Sequence, residues 1–143
     1  MPPFILDTDI FSLLNTNHPE VSRRVNAQAR GSCAITVITV EEQLSGWYSF
    51  LRKATRPDQI EYAYQSLGES VMNLARLPIV PYPQAAIARY EVLRRMKLNV
   101  RANDLRIAAI ALELGTVVVT RNVRDFTRVP SLLVEDWSQP PGP

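Results

Sequence analysis

Apolar residues along this chain alternate between short dense runs and longer stretches at helical spacing, the two rhythms that separate buried strands from amphipathic helices. Phe4-Ile5-Leu6 is a dense run closed by Asp7, and Ile10, Phe11, Leu13 and Leu14 follow at the spacing of a helix. That pattern predicts strand, turn, helix. Pro19 suits the first position of a second helix, which reaches about Ala29 and stops near Gly31. Cys33 to Val37 is rich in β-branched residues and reads as the second strand. Thr39-Val40-Glu41-Glu42 then opens a helix through Leu44, Trp47, Tyr48 and Leu51, and Pro57-Asp58 opens another that carries Ile60, Tyr64, Leu67, Val71 and Leu74.

In the second half, Pro78, Pro81 and Pro83 bracket a short strand at Ile79-Val80, and Pro83 starts a helix reaching about Lys97. Asn103 is placed to cap a strongly apolar helix from Asp104 to Leu114, which Gly115 ends. Thr116 to Thr120 encloses three consecutive valines, and such apolar character on both faces suits a central parallel strand. A helical turn at Val123 to Phe126 and a last strand at Leu132 to Glu135 complete the series. Strands alternating with helices predict a three-layer α/β fold around a mainly parallel sheet. No repeat or linker interrupts it, so residues 1–137 read as one domain and 138–143 as a flexible tail.

Composition removes whole classes of function. The apolar fraction is 46% and the charged fraction 21%, as in folded globular domains and unlike disordered chains. No apolar run approaches the roughly 20 residues that span a bilayer, and no basic segment leads into an apolar leader, so the expected location is the cytoplasm. Cys33 is the only cysteine, which excludes an intrachain disulfide and a cysteine zinc site. His18 is the only histidine and lies just before Pro19, where a capping role fits. A Ser-His-Asp or Cys-His nucleophile or a histidine-rich metal site would have to recruit one of these two residues, whose places suit capping and a buried strand instead. Carboxylates remain. A net charge of +2 does not by itself mark a nucleic-acid binder, but 14 of the 16 basic residues are arginine, the side chain best suited to phosphate.

In an open parallel sheet, ligand sites form beyond the carboxyl ends of the strands. Four acidic residues fall there: Asp7 after the first strand, Glu42 in the first turn after the second, Asp104 at the start of the apolar helix, and Asp125 after the valine-rich strand. Each also has a structural reading. Asp7 suits a turn with Asp9 as the helix cap, Glu42 completes a capping box with Thr39, and Asp104 and Asp125 suit helix N-termini. Together they have an electrostatic consequence. Two unit charges about 4 Å apart repel by about 4 kcal/mol at an effective dielectric of 20. Several such pairs are large against a domain stability of about 5 to 15 kcal/mol. A hard divalent cation, Mg²⁺ or Mn²⁺, removes the penalty.

At these residues the chain resembles the PIN-domain family and, within it, the VapC-like ribonuclease toxins of bacterial toxin–antitoxin pairs. The motifs are Ile5-Leu6-Asp7-Thr8-Asp9-Ile10, Thr39-Val40-Glu41-Glu42-Gln43-Leu44-Ser45-Gly46, Asn103-Asp104-Leu105-Arg106-Ile107-Ala108-Ala109, and Val119-Thr120-Arg121-Asn122-Val123-Arg124-Asp125-Phe126 before Glu135-Asp136-Trp137. The resemblance implies a parallel sheet of order 3-2-1-4-5 and hydrolysis of RNA phosphodiesters by a metal-activated water, with no covalent intermediate. It puts Asp7, Glu42, Asp104 and Asp125 in the catalytic and metal-binding positions, Glu41 competing with Glu42. Some relatives carry an aspartate where this chain has Asn122. Thr8 and Ser12 are expected on the Asp7 carboxylate, with Thr120 and Asn122 as further polar support, and Arg101, Arg121, Arg124 and Arg128 as candidates for RNA phosphates. A cognate antitoxin and a homodimer are the implied partners, with Trp47 and Tyr48 as contact candidates. Arg94, Arg95, Lys97 and Arg101 form a basic cluster that suits an RNA-facing patch or an ordinary charged helix end.

Two rival readings compete. Asp7-Thr8-Asp9 after an apolar strand has the nucleophile and acid–base spacing of haloacid-dehalogenase-like phosphatases, yet Ile10-Phe11 replaces their glycine-threonine turn and Glu42 and Asp104 would then be idle. A catalytically inactive PIN-fold module that binds RNA or protein is the second, and the full set of acidic positions speaks against it.

Overall fold

Residues 2–142 are described by a computed structural model. Among them, strands β1 (Phe4–Leu6), β2 (Cys33–Thr36), β3 (Ile79–Val80), β4 (Val117–Val119) and β5 (Leu133–Glu135) form one sheet of order β3-β2-β1-β4-β5. Every neighbouring pair is parallel, with Ile5 opposite both Ala34 and Val118. The connecting helices are α1 (Thr8–Asn15), α2 (Pro19–Ala27), α3 (Val37–Lys53), α4 (Pro57–Leu74), α5 (Gln84–Arg95), α6 (Ala102–Leu114) and α7 (Val123–Phe126). The expected order and three-layer architecture are both present.

Side-chain alternation along the central strands builds two cores. Ile5, Ala34 and Val118 face one side, where they meet Tyr90 and Leu93 of α5 and Ile107 and Ile110 of α6. Leu6, Ile35 and Val119 face the other and meet Ile10 and Phe11 of α1, Val21 of α2 and Leu74 of α4. Because β1 lies in the middle and both its inner residues are fully buried, the residue at its end is fixed by packing on two faces.

Element boundaries differ from the sequence reading where backbone geometry overrides propensity. Val37 was expected in β2 but opens α3, and the cap is Thr36, whose hydroxyl accepts from the Thr39 amide at 3.4 Å. The Thr39–Glu42 capping box is therefore absent, and Glu42 is free of that task. Helix α6 starts at Ala102 after Arg101, so Asn103 lies inside the first turn and accepts from Arg106 Nη1 at 2.7 Å rather than capping. Asp7, not Asp9, caps α1. His18 does cap α2, through Nδ1 and the Val21 amide at 3.4 Å. Gly115 ends α6 at φ +65°, a left-handed conformation that a side chain would resist.

The C-terminal end closes the second core. Trp137 is buried and packs edge-on against Phe4, ring centroids 4.8 Å apart. Ser138 is buried on the Asp136 carboxylate, and Arg24 donates to the Asp136 and Gln139 carbonyls. The domain boundary expected at residue 137 thus falls a residue or two short of the last contacts. Truncating Trp137 to alanine is expected to cost about 3–5 kcal/mol, the usual range for a buried large aromatic, measured by urea unfolding.

Candidate active site

The end of β1 places a carboxylate where water is excluded. Asp7 leaves the strand with extended backbone, donates its amide to the Val119 carbonyl at 3.0 Å and caps α1 by accepting the Ile10 amide on Oδ1 at 2.8 Å. It is only 5% exposed. Burial pushes its carboxyl up to about 6, against the Thr120 hydroxyl and the Ile10 amide, which favour the charged form, and with added repulsion from Asp9 and Asp104. Thr120, fully buried just past β4, accepts the Asn122 amide at 2.9 Å, which fixes its hydroxyl near Asp7.

Asp104 approaches from the first turn of α6 and is likewise buried. Desolvation raises its carboxyl above the usual range, opposed by Arg101 and reinforced by Glu42 and Asp125. Glu42, on the second turn of α3, is held by Thr8, whose Oγ1 donates to Glu42 Oε1 at 2.8 Å and lies 2.9 Å from Thr39 Oγ1. Glu41, the competing residue, points to solvent. Between these acids lies Arg101, with Nε 3.4 Å from Asp104 Oδ2 and Nη2 3.9 Å from Glu42 Oε2. Asp104, then Glu42 and Asp7, hold that guanidinium still more firmly protonated.

Asp125 sits further out. It accepts from Asn122 Nδ2 at 2.8 Å and from Arg128 Nη1 at 3.0 Å, while Arg128 also donates to the Asn99 carbonyl. An open cleft of about 380 Å³ is lined by Asp7, Thr8, Asp9, Arg101, Asp104, Arg121 and Asn122. That volume is within the usual range of small-ligand sites. Glu42 and Asp125 border the cleft's carboxylates without lining it, and Arg124 is exposed elsewhere on α7.

Two expectations are corrected. Thr8 bonds Glu42 rather than Asp7, and Ser12 donates to the Thr8 carbonyl and accepts from Gln43 Nε2, so it braces α1 against α3. The sequence offers Asp9 as a helix cap or a phosphatase acid–base but gives no sign of its grip on Arg121, through two bonds of 2.6 and 2.8 Å. The two residues are 112 positions apart and no local spacing announces the pair.

The donor set is all oxygen, the chemistry a hard divalent cation takes. Among the described residues, no three acidic side chains converge closely enough to share one ion as placed. Arg101 instead stands as the positive charge where the fields of Asp7, Glu42 and Asp104 overlap. Asp7 and Asp104 are the buried pair best suited to a cation, with Glu42 on the far side of Arg101.

A parallel α/β domain with buried carboxylates at the strand ends defines a class of protein, and the comparisons narrow it. The sequence profile of the PIN domain matches residues 4–132. The tRNA(fMet)-specific endonuclease VapC of Salmonella typhimurium is 32% identical over 96% of this chain and 99% of its own length. Ribonuclease VapC2 of Haemophilus influenzae is 30% identical with the same coverage. The DNA-bound VapBC structure from Salmonella typhimurium superposes with a TM-score of 0.77 at 30% identity, covering 96% of this chain and 99% of that one. The chain belongs to the PIN-domain family and, within it, to the VapC proteins. Membership sets aside the phosphatase reading of Asp7 and Asp9.

The raised Asp7 carboxyl makes a signed prediction. In the fold it keeps its proton to about pH 6, whereas unfolded it releases near 3.8. The stability this lends is fully present below about pH 4 and lost as pH rises through 6, roughly 3 kcal/mol in all. In chelator, Asp7→Asn, which can still cap α1, is expected to be more stable than the parent at pH 7.5 by about 1–3 kcal/mol. The two are expected to converge at pH 4, as read by urea midpoints. A gap independent of pH would contradict it.

Proposed function

We propose that the chain is a divalent-metal-dependent endoribonuclease, the toxin of a toxin–antitoxin pair, with Asp7, Glu42, Asp104 and Asp125 as its acidic site. The observation that carries this reading is the burial of Asp7 at the end of β1 and of Asp104 in the first turn of α6, in one cleft, with Arg101 set against Asp104. The ribonuclease and endonuclease names of relatives matched over nearly their whole length support it.

Asp7 and Asp104 would hold Mg²⁺ or Mn²⁺, with Glu42 joining across the Arg101 position. When bound, the ion supplies a more acidic water and offsets charge on the phosphate oxygens. The chain's own groups prepare the site. The Ile10 amide fixes Asp7 Oδ1, Thr8 fixes Glu42 Oε1, and Asn122 joins Asp125 to the cleft wall. Arg101 partly offsets Asp104 and Glu42 in the free protein and lies 70% exposed, so it can turn toward a phosphate. Hydrolysis by water, with no covalent intermediate, is the chemistry this carboxylate set supports.

The partner side of the reading rests on α3 and α4. Trp47, Phe50 and Tyr62 form a mutually edge-on aromatic cluster between the two helices, and Tyr48, Tyr64 and Met72 are exposed on the same helices. Such a patch suits an antitoxin helix or a second copy of the chain, and the VapBC assembly of the Salmonella relative supports it. No helix among the described residues is long and apolar enough to cross a membrane.

Purified protein is expected to cleave RNA in Mg²⁺ or Mn²⁺ and to stop in EDTA, and Asp7→Asn and Asp104→Asn are each expected to lose at least about a hundredfold in rate, roughly 2.7 kcal/mol of barrier. Cleavage that survives EDTA or both substitutions would contradict the site. Expression without a partner is expected to arrest bacterial growth, with Asp7→Asn tolerated; equal growth of both removes the toxin role and leaves the nuclease.

A further inference from the structure

Four arginines flank the acidic edge, and three are already accounted for by their surroundings. Arg101 lies between Glu42 and Asp104, Arg128 is held by Asp125 and the Asn99 carbonyl, and Arg124 does not line the cleft. Arg121 differs. It lines the cleft beside Asp7 and Asp104, and its partner Asp9 is not one of the acids assigned to the reaction. The pair is a fork: Arg121 Nε donates to Asp9 Oδ2 at 2.6 Å and Nη2 to Oδ1 at 2.8 Å. It spans from the first turn of α1 to the exit of β4, the two segments that leave the central strands. Both side chains are about half exposed, 48% and 49%, and exposed pairs of this kind add little stability. Fixing a long arginine in one place has a different use. A guanidinium carries five N–H donors; the fork consumes two, and three remain on Nη1 and Nη2.

We propose that Asp9 is a positioning residue for the cleft: it holds Arg121 where the free donors of the guanidinium bind a phosphate of the RNA strand. The proposal rests on the nuclease reading above. Asp9 itself, a negative charge, does not touch the strand and acts through Arg121. Arg121 is thereby the phosphate contact built into the cleft wall, ahead of Arg124 and Arg128.

The test joins binding and cleavage. In an Asp7→Asn background, affinity for a single-stranded RNA oligonucleotide is measured by fluorescence anisotropy across salt concentrations. Arg121→Gln is expected to weaken binding about tenfold and to flatten the log Kd against log salt line by about 0.7, one phosphate contact on a single strand. With Asp7 intact, single-turnover cleavage at saturating enzyme is expected to slow about tenfold in Asp9→Asn, whose RNA affinity is not weakened. In Arg121→Gln, adding Asp9→Asn is expected to change the cleavage rate no further. Arg121→Lys, which keeps the charge but not the fork, is expected to keep the salt slope and lose rate. An unchanged slope in Arg121→Gln overturns the proposal. So does a loss from Asp9→Asn that persists in the Arg121→Gln background, since Asp9 would then act directly on neighbouring Asp7. Parent protein that neither binds nor cuts RNA defeats the nuclease reading as well, whereas active parent matched by both variants defeats this proposal alone.

Discussion

Asp7 carries two demands that conflict in free energy: it caps α1 with one oxygen at the end of a strand buried on both faces, and it keeps a carboxylate out of water. Capping favours the anion and burial opposes it, and burial wins, because the carboxyl stands at about 6. The position cannot relax outward. β1 is the middle strand, and Ile5 and Leu6 lock it from opposite sides. A second buried carboxylate, Asp104, arrives at the same edge from α6, and the two repel. Fold stability is therefore set against site chemistry at one point, a pattern typical of functional sites.

The surrounding polar contacts distribute that cost. Arg101 offsets Asp104 and Glu42 from the solvent side, Thr8 and Thr39 hold Glu42 from the helix side, and Thr120 supports Asp7 from β4. Asn122 and Arg128 do the same for Asp125. The cleft is thus a set of carboxylates each partly answered by a neighbour, with none answered fully in the buried pair.

How much of this is legible in the sequence depends on the range of the interaction. The strands stand out as dense apolar runs and the parallel order follows from their alternation with helices, because burial on both faces writes itself locally. Val37-Ile38-Thr39-Val40 misleads, since four β-branched residues suggest strand continuation while tertiary packing makes them the first turn of α3. Moving that start to Val37 releases Glu42 from a cap and turns it toward Thr8. Asp7 is recognisable from its place at a strand end and Asp104 from its place at the start of the apolar helix, whereas Arg101, read as a phosphate contact, gives no sign in the sequence of its pairing with Asp104. The Asp9–Arg121 fork and the Thr8–Glu42 bond join residues 112 and 34 positions apart, and only the assembled sheet brings them together.

The metal is the step on which the functional account turns, and stability reads it without any substrate. Protein stripped with chelator and titrated with Mn²⁺ at pH 7.5 is expected to show a melting temperature that climbs with the logarithm of metal concentration once past the dissociation constant. The same titration is expected to be flat in Asp7→Asn and Asp104→Asn. A flat parent, or a rise that both substitutions leave untouched, would contradict the claim that these two carboxylates hold the cation.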